Sequence, residues 1–308
     1  MRCLVFAYSE IGVVGLESLL DGGQDVVGVV THQDNPWEFK WFRSVEELAI
    51  ARGIPVIKPE DPNTPEVLAW AREREPEVVF SFYYRQMLKA PLLALGRLGA
   101  FNLHGSLLPK FRGRAPVNWA IIEGATETGV TLHEMVAKPD AGFILAQRVV
   151  PIGANETAQD VFAHLVPQAR ALLDQVVPQI AQGIATRTPQ DTKQATYFGG
   201  RKPEDGALDW TWPAQKIHNM VRALTRPYPG AFTQWEGRKL LIWSGRIAPE
   251  IQKSATTPGT ILSAGPDGVL VATGAGVYRI LEVQYDEDPA VSADRILKQG
   301  SFFERSRS

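Results

Sequence analysis

One stretch of the 308-residue chain concentrates side chains able to do chemistry: Phe101-Asn102-Leu103-His104-Gly105-Ser106-Leu107-Leu108-Pro109-Lys110-Phe111-Arg112-Gly113-Arg114-Ala115-Pro116. The Asn102 amide is a donor of the type that steadies a developing oxyanion, and the His104 imidazole can take and return a proton near neutral pH. Arg112 and Arg114 add cations of the kind that bind phosphate or carboxylate. Each residue also has an ordinary structural reading: Asn102 as a turn cap, His104 as a loop histidine, the arginines as solvated surface. Asn102 and His104 are two apart, so on an extended chain they point to the same side.

The elements that must position them are legible around this stretch. Leu98 to Leu103 is short, apolar and opened by glycine, the pattern of a buried strand end. Pro109, Gly113 and Pro116 forbid its continuation, and Pro116 suits the first turn of a helix through Trp119, Ile121 and Ile122. A strand edge that delivers polar groups into a loop is where open α/β sheets keep their sites. Upstream, Arg2–Tyr8, Val26–Thr31, Ile54–Ile57 and Glu77–Tyr83 read as strands, alternating with a helix on Val14, Leu16, Leu19 and Leu20 and another capped at Ser44-Val45-Glu46-Glu47. The predicted class is therefore α/β with a Rossmann-like open sheet, without the GxGxxG fingerprint of a dinucleotide site.

Downstream, Gly129–Met135 and Gly142–Pro151 form two more strands joined by Lys138-Pro139-Asp140-Ala141-Gly142, where Asp140 alone reads as a turn former. Leu165, Ala169, Leu172, Leu173, Val176 and Ile180 trace one helical face, which Pro167 and Pro178 are expected to kink or shorten. Arg187–Phe198 is polar and threonine-rich and fits a linker, giving domains at 1–190 and 191–308. The second contains an amphipathic helix, Ala214–Leu224, and short strands divided by glycines, which suggests a small barrel.

Composition limits the rest. A formal net charge of -2 argues against a protein that binds nucleic acid chiefly through an electrostatic footprint, although a local basic patch is compatible with a near-neutral total. The single cysteine, Cys3, sits in an apolar run and cannot form an internal disulfide, which together with the lack of a signal peptide or membrane-length run points to the cytoplasm and no membrane partner. Histidine spacings match no metal motif, so no metal is expected.

The block Asn102 to Pro116, with Glu127-Thr128-Gly129-Val130-Thr131-Leu132-His133 and Asp140-Ala141-Gly142 downstream, resembles the signature of the formyltransferases that use N10-formyltetrahydrofolate. The resemblance spans nearly the whole chain and is strongest to the branch that formylates UDP-4-amino-4-deoxy-L-arabinose in lipid A modification and polymyxin resistance. It implies an OB-like barrel at the C-terminal end, catalysis by Asn102, His104 and Asp140, and a folate pocket from Gln86, Met87, Leu88, Arg114, Val136, Ala137, Lys138, Pro139 and Asp140. It also implies substrate contacts from Arg112, Arg201 and Lys202.

The departures bear on substrate. The loop Asp34–Arg43 is aromatic and short where the methionyl-tRNA enzymes of the family carry a basic insertion, and Tyr83-Tyr84-Arg85 differs from their pattern. Gly200 stands where the sugar branch has an arginine, and that branch's fused decarboxylase domain does not follow Ser308. A nucleotide-linked amino sugar is the expected acceptor, methionyl-tRNA the alternative, and a catalytically inactive binding module a third reading that the complete Asn102, His104 and Asp140 set opposes.

Overall fold

The run Cys3-Leu4-Val5-Phe6-Ala7 offers no polar position to face water, as a strand covered on both faces requires. It forms β1 (Arg2–Ala7), buried from Cys3 onward, and burial pushes the Cys3 thiol up to about 12. The computed structural model describes residues 1–34, 40–249, 256–285 and 288–303. After β1 come α1 (Ser9–Asp21), β2 (Asp25–Val30), α2 (Val45–Ala51), β3 (Val56–Ile57), α3 (Pro65–Arg72), β4 (Val78–Phe82), α4 (Ala90–Leu93) and β5 (Ala100–His104). Then follow β6 (Arg112–Gly113), α5 (Pro116–Ile122), β7 (Glu127–Glu134), β8 (Ile144–Pro151), α6 (Ala158–Ala181) and β9 (Tyr197–Phe198).

Seven of these strands form one sheet, in the order β3-β2-β1-β4-β5-β7-β8. The strands β1 to β5 pair in parallel, and β7 and β8 extend the sheet as antiparallel strands. This is the Rossmann-like open sheet predicted from the βα alternation. Its interior includes Leu4, Phe6, Val30, Val79, Leu88 and Leu92. The cap predicted at Ser44 is present, its hydroxyl accepting from the Glu47 N–H at 3.3 Å.

The shortening expected of one helix and the linker expected after it are both corrected, each for an identifiable reason. Pro167 and Pro178 lie inside α6, which runs unbroken from Ala158 to Ala181. An interior proline costs about 3 kcal/mol. Against this, Leu165, Ala169, Leu172, Leu173, Val176 and Ile180 are all buried, and each full Leu, Ile or Val burial contributes roughly 1.5–3 kcal/mol. The segment 187–198 is not a free linker either. Thr188 bridges Ile144, and Tyr197–Phe198 pairs in parallel with Arg112–Gly113.

The chain divides into two compact units. The first comprises Met1–Pro116, Glu127–Pro151 and Phe162–Gly199; the second comprises Val117–Thr126, Ile152–Val161 and Gly200–Ser308. In the second unit, α7 (Ala214–Leu224) accompanies β10 (Ala231–Trp235), β11 (Arg238–Ile247), β12 (Ile261–Gly265), β13 (Gly268–Ala272), β14 (Val277–Tyr285) and β15 (Val291–Ser292). These strands form an antiparallel sheet in the order β10-β11-β14-β13-β12, with β15 beside β14, consistent with the OB-like module expected. Buried Arg222 on α7 donates to the Gly153 and Glu156 carbonyls at 3.1 and 2.9 Å, which ties residues 152–161 to this unit. Among the described residues, no helix is long and apolar enough to cross a membrane.

Candidate active site

The site starts from strand register. β5 is flanked by β4 on one side and β7 on the other, and its cross-strand partners place Asn102 opposite His133 and His104 opposite Thr131. The Asn102 Nδ2 lies 3.1 Å from His133 Nε2. His133 Nδ1 lies 2.8 Å from the Glu134 carbonyl, which only accepts, so Nδ1 carries a proton and Nε2 is the nitrogen left to accept from Asn102. By the same logic His104 Nε2, 2.8 Å from the Phe111 carbonyl, is a protonated donor. Below them the buried Thr131 hydroxyl donates to the Ser106 carbonyl at 2.6 Å and accepts from the Leu108 N–H at 3.2 Å and Gln147 Nε2 at 2.9 Å. These bonds fix the start of the loop that leaves β5. Gly105 leaves room there for the Tyr83 hydroxyl, which a Cβ would meet at 1.9 Å and would have to displace.

Asp140 comes from the connection between β7 and β8 and has φ of 51°, a left-handed conformation uncommon for a residue with a Cβ. One carboxylate oxygen, Oδ2, accepts from the Gly113 N–H at 2.8 Å. The other, Oδ1, stands 3.4 Å from His133 Nε2 and 3.8 Å from His104 Nδ1. An amide, two imidazoles and a carboxylate therefore converge at the carboxyl end of β5.

The electrostatics follow from burial. His104 is 6 % exposed, and loss of water lowers its pKa, an effect that the Asp140 carboxylate opposes and that His133 and Arg112 reinforce. Burial alone would raise Asp140; His104, the neighbouring His133 ring and the Gly113 N–H outweigh it and hold the carboxyl well below the usual range. The resting pair is then a neutral imidazole beside a carboxylate, the state in which His104 accepts a proton and Asp140 balances the charge.

Residues 1–177 match the family profile described as formyl transferase, and residues 201–300 match formyl transferase, C-terminal domain. The chain belongs to the formyl transferase family. Similar folds include an N-formyltransferase from Helicobacter canadensis in complex with folinic acid and dTDP-3-aminofucose, at 19% identity and a TM-score of 0.67 over 91% of this chain and 99% of that one. WlaRD, a sugar 3N-formyl transferase solved with dTDP and 5-N-formyl-THF, gives 19% identity and a TM-score of 0.70 over 94% and 99% of the two chains. The methionyl-tRNA formyltransferase from Clostridium thermocellum gives 16% identity and a TM-score of 0.54 over 81% and 95%.

Within this formyl transferase fold the other expected site residues divide. Gln86 donates to the Glu60 carbonyl at 2.7 Å and leaves its buried Oε1 without a hydrogen-bond partner among the described residues. Met87 is 52 % exposed and Val136 41 % exposed, two large apolar side chains open to solvent, whereas Leu88 is buried in the sheet's core. Lys138 lies over the Tyr197 ring at 5.5 Å, and the Pro139 carbonyl accepts from the Tyr197 hydroxyl at 3.4 Å. Arg114 is exposed, with one nitrogen 3.4 Å from the Arg85 carbonyl. Arg112, expected to meet substrate, is 1 % exposed, and its guanidinium donates to Gln190 and Tyr197. It faces the protein's own interior.

Arg201 and Lys202 belong to the second unit. There the Arg201 guanidinium covers the Trp119 ring at 4.6 Å and donates to the Asp205 carbonyl at 2.6 Å, and burial lowers its pKa. Residues 35–39 of the aromatic loop lie outside the described residues. Of its remainder, Trp41 packs edge-on against Phe162 at 5.0 Å, Phe42 against Tyr8 at 5.3 Å, and Lys40 pairs with Asp34 at 2.7 Å. His32 stacks on Tyr84 at 4.0 Å and accepts from the Arg85 N–H at 2.9 Å; burial, with the Arg85 charge, lowers it to about 4. Among the described residues, no group of three or more His, Cys, Asp and Glu is arranged to hold a metal ion.

His133 and Gln190 are the site residues that pattern reading does not single out. His133 lies on a strand whose alternation is visible, but only the β5–β7 register brings it to Asn102. Gln190 lies in a segment of ordinary loop composition, and nothing local marks its contact with the Asp140 carbonyl at 2.9 Å.

Proposed function

We propose that this formyl transferase moves the formyl group of N10-formyltetrahydrofolate to the amino group of a nucleotide-linked amino sugar, with UDP-4-amino-4-deoxy-L-arabinose as the first candidate. The observation that carries this reading is the convergence of Asn102, His104 and Asp140, with a neutral buried imidazole beside a carboxylate. Attack of the amine on the formyl carbon forms a C–N bond and a tetrahedral oxyanion. Asn102 directs one N–H at His133 and has a second for that oxygen, a type of contact whose loss costs about 10²–10³ in turnover. His104 takes the proton from the amine, and Asp140 balances the imidazolium. Collapse breaks the bond to N10, which receives that proton, leaving the formamide and tetrahydrofolate.

For the donor, Gln86, Met87 and Leu88 on one side and Val136 to Asp140 on the other are the proposed pterin pocket, with Arg114 as an accessible cation. The exposed apolar faces of Met87 and Val136, and a Gln86 Oε1 without a partner among the described residues, support this assignment, because a pterin needs an apolar slot with a few placed polar groups. Arg201 and Lys202 are the proposed partners of the diphosphate. No metal step is needed in this chemistry.

Similar folds include both a sugar 3N-formyl transferase and a methionyl-tRNA formyltransferase, so the choice rests on residues. Tyr83-Tyr84-Arg85 and the short loop at Asp34–Arg43 favour a sugar over a tRNA acceptor stem, which needs several phosphate contacts. The test is a product assay by mass spectrometry with N10-formyltetrahydrofolate and a panel of UDP- and dTDP-linked 3- and 4-amino sugars. Formylation of a UDP-4-amino sugar is expected. Efficient formylation of methionyl-tRNA with no turnover of any nucleotide sugar would replace the reading by its alternative.

A further inference from the structure

We infer that Gln190, held from behind by Arg112, is a positioning residue that sets Asp140 against His104 and His133. The inference rests on the reading above that Asp140 supports His104 in catalysis. Asp140 occupies a left-handed backbone conformation that aspartate tolerates better than most L residues but that a turn holds as its single geometry only under a constraint. Gln190 supplies that constraint. Its Nε2 donates to the Asp140 carbonyl at 2.9 Å and to the Gly142 carbonyl at 2.7 Å, bracketing the turn on both sides.

The orientation of the Gln190 amide is itself determined. Its Oε1 accepts from Arg112 Nε at 3.1 Å and from Nη2 at 2.6 Å, so the NH2 group must face the two carbonyls. Arg112 cannot turn away, because it is buried and its Nη1 donates to the Tyr197 hydroxyl at 2.8 Å. That hydroxyl in turn donates to the Pro139 carbonyl at 3.4 Å, one residue before Asp140.

The same two-residue strand carries both ends of the device. In β6, Arg112 orients Gln190 while Gly113 presents its N–H to the Asp140 carboxylate. Its pairing with β9 brings the Phe198 carbonyl so close that a Cβ on Gly113 would stand 2.1 Å from that oxygen. Backbone and carboxylate of Asp140 are thus fixed by one clasp of Arg112, Gly113, Gln190 and Tyr197. A cation this deeply enclosed by neutral partners is poorly placed to meet a diphosphate, and its contacts account for it as a brace.

A clasp that only stabilises the loop and one that acts through Asp140 differ in a double-mutant cycle. The assay uses whichever panel acceptor the parent formylates. Gln190→Leu should lower kcat roughly 10- to 10²-fold with KM for donor and acceptor little changed, as the loss of a partner behind a functional group does. Combined with Asp140→Asn, it should add less than about twofold to the loss from Asp140→Asn alone. Gln190→Glu, which keeps the acceptor for Arg112 but replaces the two donors, should fold and show the same kcat defect.

Near-parent kcat in Gln190→Leu and Gln190→Glu, a loss confined to KM, or full additivity with Asp140→Asn would overturn the inference and leave the functional reading standing. Parent-like turnover in Asp140→Asn, or a parent that formylates nothing, would remove the functional reading and this inference with it.

Discussion

Asn102, His104 and His133 are placed by strand ladders, while Asp140 is placed by side chains that reach it from far along the chain. On β5 and β7 the side-chain directions are consequences of hydrogen-bond register, so the amide and both imidazoles need little beyond the sheet itself. Asp140 lies on a connection with φ of 51° and depends on Gly113, Gln190 and, through Gln190, Arg112. The contrast separates groups that fold into place with the sheet from one whose geometry is imposed after it. Perturbation should therefore act differently on the two regions.

The largest effects belong to the ladder-held pair. Asn102→Ala and His104→Ala should each lower kcat by at least about 10²-fold, the expectation for an oxyanion donor and a general base, with thermal unfolding close to the parent's. Near-normal turnover in either purified variant would withdraw that residue's role.

Asp140→Asn comes next and carries a signature of its own. Burial holds His104 below its ordinary value and the carboxylate opposes that shift, so the acid limb of kcat/KM should lie below about pH 6.5. Removing the carboxylate's charge should move the limb to still lower pH. A limb that moved upward would contradict the electrostatic pairing. The linked stability has a defined sign: with the folded His104 pKa below the unfolded one, its contribution is complete above about pH 6.5 and is lost as pH falls through that value toward the folded one.

His133→Phe tests whether the second imidazole belongs with the ladder group. It removes the acceptor that orients Asn102, and a fall in kcat of about tenfold is expected for a group acting through another, with less change in KM. Parent-like kinetics would reduce His133 to a packing residue. The smallest effect on chemistry should come from Gly105→Ala, which pushes a methyl group against the Tyr83 hydroxyl and should destabilise by about 1–3 kcal/mol. Denaturant titration measures it, and Tyr83→Phe in the same chain should recover part of the loss.

The same division explains what could be read in advance. The sheet, the β5 edge, Asn102 and His104 were legible because they rest on period-two alternation and on glycine and proline punctuation, both local properties. His133 was not, because its partner is defined by register between strands. Gln190 and Arg112 were still less so. The segment 187–198 looks like a linker by composition, and Arg112 looks like a surface cation, until β6 pairs with β9. Prolines in α6 misled in the opposite direction, since a local penalty was outweighed by burial that sequence spacing shows but does not weigh.

The pairing of Arg112–Gly113 with Tyr197–Phe198 also sets an order of events during synthesis. Ribosomes release the strands of the first sheet before residue 152, so β5 can meet β4 and β7 while the later segment is still inside the exit tunnel. Asp140 acquires its brackets only once Gln190 and Tyr197 have emerged. A nascent chain arrested short of Gln190 would carry every strand of the sheet and still lack the groups that bracket Asp140, so the carboxylate's support is the last part of the site to be synthesised.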